Sequence, residues 1–181
     1  MTAEKQLAGL EAVFADEEAF SRWYEQSVPR VYAFVFNRCG GSADVAEELT
    51  QQTFVEAFRR RGGYDGRGDV VAWLCGIARH KLADHYRRLE REERRHRRLV
   101  LRNVAVAEAG WAAADSRPAI EAALRALPAQ QRAVLLFRYL DRQSVPDIAR
   151  VIGRSVEATE SLLARARRSF ARAYGEVSDD D

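Results

Sequence analysis

Two small all-α domains joined by a flexible linker, the second containing a helix–turn–helix, are what this 181-residue sequence predicts. Three observations carry that prediction. Apolar residues recur at spacings of three and four along almost every segment, the period of a helix with one buried face, and no alternating strand pattern survives. Glycines gather at Gly40-Gly41 and across Gly62-Gly63-Tyr64-Asp65-Gly66-Arg67-Gly68, where helices should stop. From about Arg91 the composition shifts to an arginine run and then to the alanine-rich stretch Asn103 to Ala114. We therefore place a first domain at 1–96, the linker at 97–117, a second domain at 118–176 and an acidic tail at 177–181.

Leu7, Leu10, Val13 and Phe14 predict a short amphipathic N-terminal helix. Phe20, Trp23 and Tyr24 open the next apolar stripe, and Val31, Tyr32, Val35 and Phe36 carry it to Gly40. Pro29 has no N–H to donate and should kink or restart that helix. Ser42 or Asp44 then begins a helix to about Arg61, with Val45, Leu49, Phe54 and Phe58 inside and Glu47, Glu48, Gln51 and Gln52 outside. Asp69 caps a long helix containing Trp73, Leu74, Ile77, Leu82, Tyr86 and Leu89. Trp73 is assigned to the core. The alanine-rich half of the linker is either helical or ordered on binding, with Trp111 touching something. Asp115 or Ser116, followed by Pro118, starts new helical chemistry. Pro128 starts a further helix whose apolar set is Val134, Leu135, Phe137 and Leu140.

Ser144 to Phe170 has the punctuation of a helix–turn–helix. Ser144 caps a helix that tolerates Pro146 in its first turn and places Asp147 at its positive end. Ile148 and Ile152 share one face, with small Ala149 where a second helix approaches. Gly153 closes the helix in a left-handed conformation and Ser155 caps the next. Val156, Thr159, Leu163, Ala166 and Phe170 form its buried stripe. Glu157, Glu160, Ser161 and Ala164 face outward, followed by Arg165, Arg167, Arg168 and Arg172. The second helix of such a pair can lie in the major groove of duplex DNA.

Net charge is only +2, but basic residues concentrate between Arg79 and Arg102 and between Arg165 and Arg172, as phosphate neutralisation at two places would require. Cys39 and Cys75 lack CxxC or zinc spacing, which predicts reduced structural thiols in a cytoplasmic protein. No apolar run has the length of a membrane span, and no signal pattern opens the chain. His80, Asp84 and His85 could suggest a metal-dependent enzyme, since the first two lie one turn apart. No further ligand cluster accompanies them, and His96 sits in an arginine run. No catalytic residue, metal or cofactor is expected.

Four motifs in order resemble the extracytoplasmic-function sigma factors of bacterial RNA polymerase. Ala46-Glu47-Glu48-Leu49-Thr50-Gln51-Gln52-Thr53-Phe54 is similar to their polymerase-docking helix, and Trp73-Leu74-Cys75-Gly76-Ile77-Ala78-Arg79 to the start of their promoter-melting helix. Leu124-Arg125-Ala126-Leu127-Pro128-Ala129-Gln130-Gln131-Arg132 with Phe137-Arg138-Tyr139-Leu140 resembles the beginning of their second DNA-binding domain, which the helix–turn–helix completes.

The resemblance implies a transcription initiation factor that binds core RNA polymerase, directs it to promoter DNA and helps open it. Glu47, Glu48, Gln51 and Gln52 would meet the coiled-coil clamp helices of the largest polymerase subunit. Relatives often carry an acid where Gln52 stands, so one ion pair becomes a hydrogen bond. Tyr64, Asp65 and Arg67 could line a pocket for an unstacked base of the −10 element, with Tyr64 equally open to a core role. Arg79, His80, Lys81, Asp84, Tyr86, Arg87 and Arg88 lie on or near the exposed face of the following helix, the basic ones holding phosphates.

For the −35 element the implied contacts are Ser155, Glu157, Glu160, Ser161, Ala164, Arg165 and Arg168. Glu160 and Leu162 depart from relatives, which often have Lys and Arg there. Glu157 could accept from a cytosine amino group or merely favour the helix dipole, and both stay open; for Glu160 base contact is the expectation. Arg165 and Arg168 are expected at phosphates. An anti-sigma protein is a further partner the resemblance implies. A polymerase-independent helix–turn–helix regulator is the alternative, although it leaves the docking and melting helices unexplained.

Overall fold

The structure, a computed structural model, describes residues 10, 13–14, 16–64, 68–100 and 116–179; of 97–100, 116–117 and 176–179 it describes the backbone alone. Asp65, Arg67, Leu7, Trp111 and the alanine-rich stretch lie outside the described residues. Among the described residues every regular element is helical: α1 (Glu17–Phe36), α2 (Ala43–Arg59), a 3-10 turn (Arg61–Gly63), α3 (Val70–Val100), α4 (Ser116–Ala126), α5 (Ala129–Leu135), a π turn (Leu136–Leu140), α6 (Val145–Ile152) and α7 (Val156–Asp179). The all-α prediction from period and punctuation therefore holds. By contact the chain divides into two compact units, Met1–Leu82 and Ala83–Asp181, so that α3 runs through the division.

In the first unit, the helix starts follow capping chemistry. Asp16 Oδ1 accepts from Ala19 N at 2.8 Å, Ser42 Oγ from Val45 N at 3.4 Å and Asp69 Oδ1 from Val71 N at 2.8 Å. Each such cap stabilises by about 1 kcal/mol. Helices α1 and α2 pack on each other, and Val31, Val35, Ala46, Leu49 and Ala57 are buried, as are Leu74, Ala78 and Leu82 of α3. Phe14, Phe20, Trp23, Tyr24 and Phe54 pack by tilted, stacked and edge contacts, with centroids 5.0–5.9 Å apart.

Two expectations for this unit are corrected. Of the kink or restart expected at Pro29, the restart does not occur: α1 continues through it, the exposed ring costing the helix one backbone donor. Phe58, predicted inside, is 51% exposed, with the edge of Phe14 on one side and the Arg61 guanidinium 4.8 Å from its ring centroid. It lies in the last turn of α2, past the buried Phe54 and Ala57.

The second unit gathers the end of α3 with α4 to α7. Ala83, Tyr86, Ala123, Leu127, Val134, Phe137, Ile148, Ile152, Leu163 and Ala166 are buried. Tyr86, predicted both in the apolar set and near the exposed face, is buried. Glu93 accepts from Ala129 N, and Arg154 pairs with both Gln130 and Glu90. Helix α5 runs into the π turn, where Asp141 N reaches back five residues to Leu136 O at 3.0 Å. A π turn carries more residues per turn than an α-helix and changes which side chains face inward. Leu140, predicted in the core, accordingly stands 49% exposed and Tyr139 59% exposed. Val156 is also exposed, at the open first turn of α7, whereas Leu162 is buried.

Candidate polymerase and nucleic-acid interfaces

Helix α2 displays Glu47, Glu48 and Gln51 to solvent, with Gln52 half-buried beside them. Gln52 Nε2 donates to Glu48 Oε1 at 2.8 Å, a neutral donor steadying a carboxylate one turn away. Val55 and Phe58 continue the exposed side of α2 as apolar surface. They border a groove shared with Phe14, Trp23, Tyr24 and Gln51. Sequence reasoning missed this apolar extension because Phe58 follows Phe54 at helical spacing. At the base of the groove, Trp23 Nε1 is buried without a hydrogen-bond partner among the described residues.

The candidate −10 region centres on the start of α3. Tyr64 is half-buried against Trp73, centroids 5.5 Å apart, and its hydroxyl donates to Gly68 O at 2.8 Å. These contacts serve the loop and give Tyr64 a structural role. Lys81, expected at a phosphate, is 3.5 Å from Glu56, which also binds Arg60 at 2.5 Å. The Arg60 guanidinium, followed by Lys81, holds the Glu56 carboxyl below its ordinary range despite partial desolvation. Asp84 pairs with Arg87 one turn on. Arg79 lies over the Phe34 ring, 5.2 Å from its centroid, whereas His80 and Arg88 are exposed. His85 is buried beside Tyr86, so His80, Asp84 and His85 do not form one exposed cluster. No group of three His, Cys, Asp or Glu among the described residues could hold a metal.

The helix–turn–helix has the predicted punctuation. Ser144 Oγ accepts from Asp147 N at 3.3 Å and donates to Asp147 Oδ2 at 2.5 Å, while Arg150 reaches Oδ1 at 2.9 Å. The Ser144 hydroxyl and then Arg150 hold Asp147 below the usual carboxylate range. Gly153 ends α6 at φ +66°, the left-handed region in which a Cβ is strained. Ser155 Oγ accepts from Ala158 N at 3.2 Å, so this hydroxyl is engaged in capping α7. The Glu157 carboxylate accepts from its own backbone N–H and then from Ser155, which lowers its pKa.

Farther along α7, Glu160, Ser161, Arg165 and Arg168 are exposed and Ala164 is half-buried. Arg165 Nε folds back to Ser161 O at 3.4 Å, and Arg167 donates to the Tyr139 hydroxyl at 2.8 Å. Glu160 and Arg168 have no side-chain partner among the described residues. Leu162, at a position where relatives often have a basic residue, turns inward beside Val134 and Ile152.

Comparison with known proteins matches both regions. Residues 23–92 match Sigma-70 region 2 and residues 117–170 match Sigma-70, region 4. The ECF RNA polymerase sigma factor BldN of Streptomyces coelicolor is 37% identical over 161 residues; the alignment covers 87% of this chain and 61% of that relative. The probable RNA polymerase sigma-C factor of Mycobacterium bovis is 31% identical, with 83% of this chain and 78% of the relative covered. In fold, the chain is similar to the sigma factor RpoE of Bartonella quintana, solved with the anti-sigma factor NepR, at a TM-score of 0.52 and 24% identity, covering 85% of this chain and 95% of that one. No helix among the described residues is long and apolar enough to cross a membrane. The two matched regions, in this order on an all-helical chain, and the relative covered over most of its length establish that the chain belongs to the family of RNA polymerase sigma factors.

Proposed function

We propose that this chain binds core RNA polymerase, carries it to promoters with two separate recognition elements and helps open the DNA. The observation that carries this reading is the pairing of a capped helix–turn–helix with an acidic, amide-rich helix face elsewhere in the chain. A DNA-binding regulator alone would need only the former. Glu47, Glu48, Gln51 and Gln52 would meet the polymerase. Tyr64, Asp65 and Arg67, with Arg79, His80, Lys81, Asp84, Arg87 and Arg88, would meet the −10 element. Ser155, Glu157, Glu160, Ser161, Ala164, Arg165 and Arg168 would form the −35 surface, their charged members divided between base and phosphate contacts.

Residues 1–96 and 118–176 would act as the two recognition domains, with 97–117 as the link and 177–181 as a tail. The work would be cytoplasmic and non-enzymatic, since the chain positions and opens DNA while polymerase supplies the chemistry. An anti-sigma protein is the proposed inhibitor. The Bartonella quintana factor is bound to one.

The test is transcription by purified chain plus core polymerase on genomic DNA fragments, with sequencing of transcript starts. Discrete starts sharing two upstream motifs are expected. Tight sequence-specific duplex binding by the chain with no binding to core polymerase would overturn the proposal in favour of a polymerase-independent regulator.

A further inference from the structure

We propose that the N-terminal segment ending at Phe14 is a displaceable strap on the apolar groove between α1 and α2, and that core polymerase competes with it for that groove. The inference rests on the docking role proposed for α2 and adds a competitor within the chain itself. Leu10 is buried, and the Phe14 ring lies 5.4 Å from Phe20, 5.3 Å from Trp23 and 5.2 Å from Phe58, centroid to centroid. Apolar and aromatic contacts thus hold the segment against both helices. Such contacts are non-directional, so another apolar group can take over the same surface.

Position sets up the competition. Glu47, Gln51, Val55 and Phe58 succeed one another at spacings of four, four and three, a single stripe along α2 whose members are all exposed. The stripe starts at the outward acids and ends at the ring that Phe14 touches. A partner laid along it from the acids reaches Phe14. The strap also fills the groove incompletely. With Phe14 in place, Val55 and Phe58 remain exposed. Trp23 Nε1, at the base of the groove, is a buried donor with no acceptor among the described residues. A buried donor left unpaired favours any arrangement that supplies its acceptor. The better occupant therefore brings an apolar side chain for Val55 and Phe58, a carbonyl acceptor for the indole N–H and cationic groups for Glu47 and Glu48.

The experiment measures the affinity of the full chain for core polymerase and its hydrogen exchange in that complex. L10S/F14S should bind core about 10-fold or more tightly than wild type, because a site open in roughly a tenth of molecules or fewer has its apparent affinity cut by that factor. V55S/F58S should weaken binding, and L10S/F14S added to it should bring no gain, since the contested surface is gone. In wild type, the amides of residues 10–14 should exchange faster in the complex while those of α2 exchange more slowly. Unchanged or weaker binding by folded L10S/F14S, a gain that persists on V55S/F58S, or slower exchange at 10–14 in the complex would overturn the strap and leave the docking role of α2 standing. The exchange measurement needs no variant and decides the case if L10S/F14S fails to fold. Absence of core binding by both wild type and L10S/F14S would overturn the docking role, and the strap with it.

Discussion

Helix α3 and helix α7 both carry charged side chains facing outward, yet those charges are in different states. On the first unit's part of α3, Lys81 is paired with Glu56 and Arg79 lies over Phe34; a little farther along, Asp84 is paired with Arg87. On α7, Glu160 and Arg168 stand without side-chain partners among the described residues. A ligand reaching Lys81 must replace an existing ion pair, so its net gain is the difference between two contacts. A phosphate reaching Arg168 displaces solvent and counterions alone. Equal formal charge therefore does not imply equal contribution to binding.

The comparison is broken most forcefully by emptying the core beneath each face. Leu163 lies under α7 and Leu49 under the outward acids of α2, both almost fully buried. Either Leu→Ala change should cost about 2–5 kcal/mol, because the lost apolar transfer is joined by a residual cavity. Chemical denaturation and two binding assays test the division of labour. L163A should lose upstream-duplex retention at temperatures where core binding survives, and L49A should do the reverse. Equal loss of both activities in each variant would show that the two faces fail together.

A smaller effect is expected at Gly153, which holds the turn before α7 at φ +66°. Alanine there incurs about 1–2 kcal/mol of left-handed backbone strain. Its Cβ would also lie 3.2 Å from Arg87 Nη1, a flexible group that can move aside. G153A should lower the melting temperature and weaken upstream recognition while sparing core binding. An unchanged melting temperature would show that the turn relaxes into another conformation.

Acid titration sharpens the same comparison at lower amplitude. The Asp147 carboxyl is held below its ordinary value by Ser144 and Arg150, so its stabilisation is present above the unfolded pKa of about 4. It is lost as pH falls through the lower folded value. D147N should flatten that part of the stability profile and leave the neutral-pH profile parallel to wild type. An unchanged acid limb in urea-denaturation series would remove Asp147 as a contributor.

What the sequence makes legible follows from the range of each interaction. Caps and turns are local: Ser42, Asp69, Ser144, Gly153 and Ser155 declare themselves by residue type and spacing, and each performs the expected backbone task. Burial near helix ends is less local. Phe58 keeps the core period yet stands beyond the packed part of α2, and Leu140 is displaced by a π turn that periodicity does not reveal. Pairing is least legible. Lys81 reads as a phosphate ligand until α2 brings Glu56 beside it, 25 positions earlier in sequence.

The smallest expected effect measures the state of those charges directly. Each phosphate contact contributes about one counterion to the slope of log affinity against log salt. Arg168→Ala should reduce that slope by about one for upstream-duplex retention by the reconstituted complex. Lys81→Ala should change the slope for promoter binding by less, because Lys81 begins in a pair with Glu56 and surrenders that contact to reach DNA. Glu56→Gln separates the pair without removing Lys81. If the pair restrains DNA binding, E56Q should raise affinity at low salt and steepen the slope, and K81A on the E56Q background should remove the gain. Arg60 also contacts Glu56, so R60A serves as the comparison that loosens Glu56 without deleting either paired group. A slope loss for K81A as large as that for R168A would mean the Glu56 pair dissolves at negligible cost before DNA arrives. The two regions would then differ in geometry but not in the electrostatic work of binding.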